Sequence, residues 1–205
     1  MTCRVLTYAA SVSRWAPDAR ERLERAALTL FAEQGYQATT VPQITERAGL
    51  TTRTFFRYFA DKREVIFAGD EIPERARRML AEAPAGVDPR ALVADGLHRL
   101  AVERFDGRRV QVAAIRDLIA REPALQERDL RKRADTGEVV RIGLEARGAD
   151  PLTAALLADL AMTVLHVALD RWSGDVGESR EMSAVVDEVF SASAGLFQWS
   201  GRAAS

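Results

Sequence analysis

The sequence predicts an all-α protein, with a small N-terminal helical module followed by a larger C-terminal helical bundle. Three observations carry that expectation. Apolar residues recur three and four positions apart through nearly every segment, the spacing of one helix face. No alternation of the strand kind lasts more than a few positions. Breaks at Gly35, Gly49 and "FAD" set off two short helices before residue 62, and longer helical stretches follow the linker at 83–89. The 205 residues, 47% hydrophobic and 29% charged, suffice for one or two domains with a substantial core.

A first helix is expected from Asp18 to Gln34, with Leu23, Ala27, Leu30 and Phe31 on its apolar stripe. Gly35 supplies its C-terminal stop. After the loop "YQATT", Thr40 is placed to cap a short second helix carrying Val41, Ile44 and Ala48 on one face, with Pro42 tolerated in its first turn. Gly49 breaks the pattern and Leu50 plugs the turn. Thr51 or Thr52 then caps a third short helix through Tyr58. Asp61 can cap a fourth helix beginning at Lys62, in which Pro73 predicts a kink or a division into two.

The linker "APAGVDP" at 83–89 precedes helical stretches at about 89–105, 108–121, 124–147 and 151–173, separated by Pro123, Gly148 and the Asp150–Pro151 pair. A last helix is expected from Arg180 to Trp199. The domain plan is therefore an arm at 1–17, a module at 18–66 and a bundle at 67–205.

Composition narrows the function classes. Net charge is −1, so no global field draws nucleic acid. Yet residues 1–62 carry nine Lys/Arg against six Asp/Glu, while the remainder carries 20 against 24. The single cysteine, Cys3, excludes an internal disulfide and suits a reducing compartment. No apolar run reaches the roughly 20 residues of a membrane span. The broken apolar content of residues 1–15 reads as a loose arm and not as a signal peptide.

Catalytic and metal-binding patterns such as H-E-x-x-H, paired cysteines or a glycine-rich phosphate loop are missing, so neither enzyme, metal nor cofactor is expected. His98 and His166, on apolar stretches, read as core or interface histidines ahead of ligand contacts. Trp172 and Trp199 read as packing. Arg116 and Asp117, charges inside "AAIRDLIA", face either solvent or a pocket.

The stretch "LTTRTFFRYFADKREVIF" at 50–67 mixes rings with cations. Two short helices joined around Gly49, the second capped by threonine and rich in cations, make a helix-turn-helix. Phe55 and Phe59, four apart, share a face that can pack on Ile44 and on Leu30 or Phe31. Thr52, Arg53, Phe56 and Arg57 turn away from it, and arginine can grip a guanine edge with two hydrogen bonds. The bland counterpart is a helical hairpin with a solvated basic rim.

Residues 20–67 resemble the DNA-binding domain of tetracycline-repressor (TetR) family regulators. The resemblance lies in "F-A-x-x-G-Y" closing the first helix, "T-T-V-x-x-I" opening the second, "A-G-L-T" at the turn and "T-F-F-R-Y-F-A-D-K" along and just beyond the third. It implies a bacterial, cytoplasmic homodimer that binds a palindromic operator in double-stranded DNA. A small-molecule effector entering the C-terminal bundle would then release it. Thr40, Tyr58 and Lys62 match phosphate-contacting positions, and Thr52, Arg53, Thr54, Phe56 and Arg57 match groove-facing ones. Gln43 and Thr51 complete the candidate DNA-binding set. Phe56 stands where the family usually has Tyr, which removes a phenolic hydrogen bond. Arg53 stands where a small residue is common, which adds a side chain to base readout.

Two helical regions remain for pairing and for the effector. Leu157, Leu160, Ala161, Val164, Leu165, Ala168 and Leu169 form a stripe wider than one buried face requires, and Val185, Val186, Val189, Phe190 and Phe197 repeat on the last helix. Together they are expected to form a four-helix dimer seam. Apolar stripes and family architecture nominate Met79, Leu100, Phe105, Ile115, Arg116, Leu118 and His166 for the effector pocket. An alternative of another class is a helical adaptor whose C-terminal groove takes a protein or peptide.

Overall fold

The computed structural model describes residues 16–67, 72–174 and 180–196. Among them are helices and turns but no strand. The chain divides into two compact units, residues 1–68 and 69–205.

The first unit contains α1 (Ala16–Gln34), α2 (Val41–Arg47), α3 (Thr52–Tyr58) and α4 (Lys62–Ile66). The stripe of α1 is buried, and Gly35, at φ 85°, ends the helix with its N–H on the Phe31 carbonyl at 3.1 Å. Thr40 and Gln43 form a reciprocal capping box on α2. The Gln43 amide donates to Thr40 Oγ1 at 3.4 Å, and the Thr40 amide donates to Gln43 Oε1 at 2.8 Å. Gly49, at φ 62°, turns the chain, and the Leu50 amide donates back to the Thr45 carbonyl at 2.8 Å. Of the two candidate caps for α3, Thr51 serves, accepting from the Thr54 amide at 3.1 Å. Asp61 caps α4 through the amides of Arg63 and Glu64 at 2.8 and 3.2 Å.

Leu30, Phe31, Ile44, Phe55 and Phe59 are all buried and make up this small core. The Phe55 and Phe59 rings sit 5.3 Å apart, tilted by 54°, a favourable aromatic arrangement.

Of the kink or division expected with Pro73, the described residues show two helices. The second, α5 (Ile72–Glu82), opens the other unit, and Pro73 is its second residue. Pro73 is therefore no mid-helix kink. In a first turn its missing N–H has no partner to lose.

The second unit continues with α6 (Pro89–Arg104), α7 (Arg109–Arg121), α8 (Pro123–Ala146), α9 (Pro151–Gly174) and α10 (Met182–Leu196). Helix α9 packs against α6, α7, α8 and α10, and α5 lies on α8 and α6. A Cβ on Gly143 of α8 would stand 2.5 Å from Leu80 Cδ1, so the close approach of α5 depends on that glycine. Arg147 fixes the same end of α5, donating to the Leu80 carbonyl at 2.8 Å and to that of Pro84.

Helix α9 corrects one expectation and bears on a second. Its most apolar window has a mean hydropathy of 1.9 and is long enough to cross a membrane by length and composition, contrary to the absence read from the sequence. The reason is a helix that is apolar on two faces. One face is internal: Ala161, Val164 and Leu165, with Val186 of α10, are at most 8% exposed in the single chain. Ala168 and Val185 join them. In the single chain these residues pack against the protomer's own core. Leu157, Leu160, Leu169, Val189 and Phe190 are half-buried at the core margin, and Phe197 lies outside the described residues. The other face carries Leu152, Leu156 and Val167, exposed by 69%, 62% and 38%.

Candidate nucleic-acid interface and apolar cleft

Helix α3 has one buried side chain, Phe55, and no acidic residue. Thr51, Thr52, Arg53, Phe56 and Arg57 are exposed, and Thr54 and Tyr58 are partly covered. Phe56, 56% exposed, stands edge-on to Phe55 at 5.4 Å, so the buried ring supports the exposed one. The Arg57 guanidinium lies 4.8 Å from the Tyr58 ring and donates to its hydroxyl at 2.9 Å, which restrains a long side chain before any ligand arrives. Arg53 has no acidic partner among the described residues. Two arginines and an aromatic ring therefore project together from one short helix, ready to face a polyanion.

Thr40 and Gln43 mark the exposed start of α2, and Gln34 Nε2 donates to Gln43 Oε1 at 3.2 Å. At the other end of α2, Arg22 Nη2 donates to the Ala48 carbonyl at 2.5 Å. Arg47 makes a bidentate pair with Glu33, at 3.1 and 2.7 Å, and that hydrogen-bonded guanidinium holds the Glu33 carboxyl below its ordinary range. Arg47 is thus engaged on α1. Lys62 is only partly exposed, and its ammonium points at the loop before Thr40.

Residues 24–68 match the family described as "Bacterial regulatory proteins, tetR family". The HTH-type transcriptional regulator TcmR of Streptomyces glaucescens is 35% identical over 64% of this chain and 61% of its own length. HbdR of Aromatoleum sp. (strain CIB), another HTH-type transcriptional regulator, is 40% identical over 24% of this chain and 22% of its own. The N-terminal module of this chain, residues 24–68, is of the tetR type. The chain spans less than two thirds of the length of either relative. A transcriptional regulator from Aquifex aeolicus VF5 shares the fold across 87% of this chain and 99% of that one, with a TM-score of 0.57 at 22% identity.

The second unit of the chain holds a narrow cleft of about 70 Å³ between α5, α6, α8 and α9. Ile72, Ala76, Leu80, Val93, Leu97, Val140 and Met162 line it together with Met79 and Leu100 of the nominated pocket. Gly96 forms part of the wall and faces Met79, and the buried Ala161 closes the cleft from α9. Its charged lining residues are already paired, Arg99 with Asp95 and Arg75 with Glu103.

The other nominated residues stand elsewhere. Phe105 is in the core; Ile115, Leu118 and Arg116 belong to α7, which packs on α8 and α9 and contributes no residue to the cleft. Arg116 reaches Asp170 of α9 and is therefore no anchor in the cleft, while Asp117 pairs with Arg121 at 2.7 Å. His166 Nε2 lies 3.2 Å from Asp170 as well. That contact alone would raise its pKa, but burial and then the nearby Arg133 guanidinium outweigh Asp170 and push it below 6.5. His98 bridges α6 and α10 through Asp187 at 3.0 Å, neither in the core nor in the cleft. Trp172 is buried and donates from Nε1 to the Arg180 carbonyl at 2.8 Å, whereas Trp199 lies outside the described residues.

Proposed function

We propose that the chain is a dimeric, operator-binding transcriptional repressor released by a small apolar effector. The observation that carries this reading is the divided use of aromatics on α3. Phe55 is fully buried, while Phe56, Arg53 and Arg57 project from a helix without a single carboxylate. An ordinary surface helix would pair such cations with acids along its own face. Here Arg53 and Arg57 read base edges in the major groove, Phe56 packs against thymine methyls or sugars, and Thr40, Gln43, Thr51, Thr52, Thr54 and Tyr58 position the helix on the phosphates.

Pairing two copies through the exposed face of α9, with Leu152, Leu156 and Val167 at its centre, sets two such helices against one duplex. Palindromic half-sites then lie about 34–36 Å apart, or a multiple of it. The apolar lining and internally neutralised charges of the cleft suit a slender, uncharged effector. Cytoplasmic residence follows from an operator on the chromosome.

Selection of fragments bound by the full chain from genomic DNA, followed by titration of the enriched sequence and a scrambled copy, tests the reading. The expected product is a two-fold symmetric site bound at least a thousandfold more tightly than the scramble, within the range of about 10³–10⁷ for specific proteins. Enrichment without symmetry, or none, would end it.

A further inference from the structure

The strongest unassigned feature is the ammonium group of Lys62. Its Nζ lies 2.7 Å from the carbonyl of Tyr36, 2.9 Å from that of Thr39 and 3.4 Å from that of Gln37. It also sits 4.2 Å from the centre of the Tyr36 ring. An ammonium has three N–H donors in tetrahedral array. Three carbonyls converging on one point, with a ring face beside them, match a compact point charge and not a planar fork. We infer that Lys62 is a positioning residue: it organises the 36–39 loop that presents Thr40, and does not itself bond to a DNA phosphate.

The geometry explains why a cation is needed. Gly35 turns the chain out of α1 at φ 85°, and the loop leaves the carbonyls of Tyr36, Gln37 and Thr39 aimed at one small region. Carbonyl dipoles aimed at one region repel one another, and although the Thr39 amide donates to the Tyr36 carbonyl at 3.3 Å, a partly covered cation offsets all three together. The next residue, Thr40, is the N-cap of α2. With Arg22 holding the Ala48 carbonyl at the other end, α2 is gripped at both termini by cations from α4 and α1. The position that the family resemblance gives to a phosphate contact is, in this chain, turned toward backbone carbonyls.

This inference rests on the DNA-binding reading, and its test separates the two. Operator affinity is measured across a KCl series for wild type and Lys62→Met, which keeps an apolar stem over Tyr36 but removes charge and donors. Loss of the clamp should weaken binding about tenfold at every salt concentration, leaving parallel lines. A lysine bonded to phosphate would instead reduce the slope of log affinity against log salt by about one, and that result overturns the inference. In case the variant fails to fold, the wild-type Lys62 Nζ resonance, read by nitrogen-15 NMR, decides independently. Slowly exchanging ammonium protons in the DNA-free protein, unshifted by operator, are expected. Their absence without DNA, or appearance only with it, overturns the inference. A wild-type chain that binds no DNA would remove the regulatory reading and leave the free-protein resonance to be judged alone.

Discussion

Arg22 of α1 donates from Nη2 to the carbonyl of Ala48 at 2.5 Å, across the turn made by Gly49. A Cβ on Gly49 would stand 3.0 Å from the same Nη2, and the backbone there is left-handed at φ 62°. Gly49→Ala should therefore strain the turn and disturb the clamp together, destabilising the N-terminal unit by about 1–2 kcal/mol. Thermal denaturation followed at 222 nm measures it. An unchanged midpoint would mean that the turn relaxes and the clamp is dispensable.

Arg53 and Thr40 should differ in what they contribute to binding. Arg53→Ala should relax preference at one or two operator positions, since a bidentate arginine–guanine pair discriminates by about 1–3 kcal/mol. Thr40→Ala removes a cap on α2 worth about 1 kcal/mol and should weaken matched and mismatched operators alike. Binding to a panel of singly substituted operators separates the two patterns. Indistinguishable profiles would refute the division of labour.

The capping and turn chemistry of the first unit was legible because it is local. Thr40, Gly49 and Asp61 act on residues within three positions of themselves. Phe55 and Phe59 could be sorted from Phe56 by helical period alone. What tertiary structure decides was not legible. Lys62 finds partners 23 to 26 positions earlier, which no spacing rule announces. The stripe on α9 was correctly seen as too wide for one face, but burial of Ala161 and Leu165 depends on which side α6, α8 and α10 cover. The cleft was missed in most of its lining because Val93, Leu97 and Val140 lie on the same apolar stripes as core residues, and only the packing of α5, α6, α8 and α9 tells the two apart.

The proposed pairing face of α9 makes a sharp contrast between two leucines. Leu156→Asp places a charge on the exposed face and should leave helical content intact while the chain sediments as a monomer. Leu165→Asp buries an unpaired charge in the protomer core and should unfold the second unit. A Leu156→Asp chain that still sediments as a dimer would move the seam off this face.

His166 should make stability fall on mild acidification. Burial, then Arg133, holds its folded pKa below the ordinary 6.5, so the unfolded chain binds the proton more readily. Stability from this group is present above about 6.5 and is lost as pH falls through that value toward the lower folded pKa. Its partial exposure limits the effect to a shallow slope. Urea midpoints from about pH 8 to about pH 5 should decline in wild type and flatten in His166→Gln. Equal slopes in the two proteins would assign the decline to other groups.

Gly96 offers a way to close the apolar cleft from its wall. It lies inside α6, where glycine costs about 1 kcal/mol relative to alanine, so a larger residue also favours the helix. A Cβ there would meet Met79 Cε at 3.2 Å, the far end of a flexible side chain that can move into the cleft. The remaining atoms of a leucine would fill much of a free volume of only about 70 Å³. Gly96→Leu should therefore keep operator affinity and thermal stability while losing capacity for a slender apolar probe. N-phenylnaphthylamine serves as that probe, because it is uncharged and brightens when it leaves water. Wild type should enhance its emission saturably, and Gly96→Leu should weaken the probe's affinity at least about tenfold, a change near 1.4 kcal/mol. By linkage, a probe that weakens operator binding in wild type must itself be bound more weakly when operator is present. Unaltered probe affinity in the leucine variant would place the apolar site away from the α5–α6 wall.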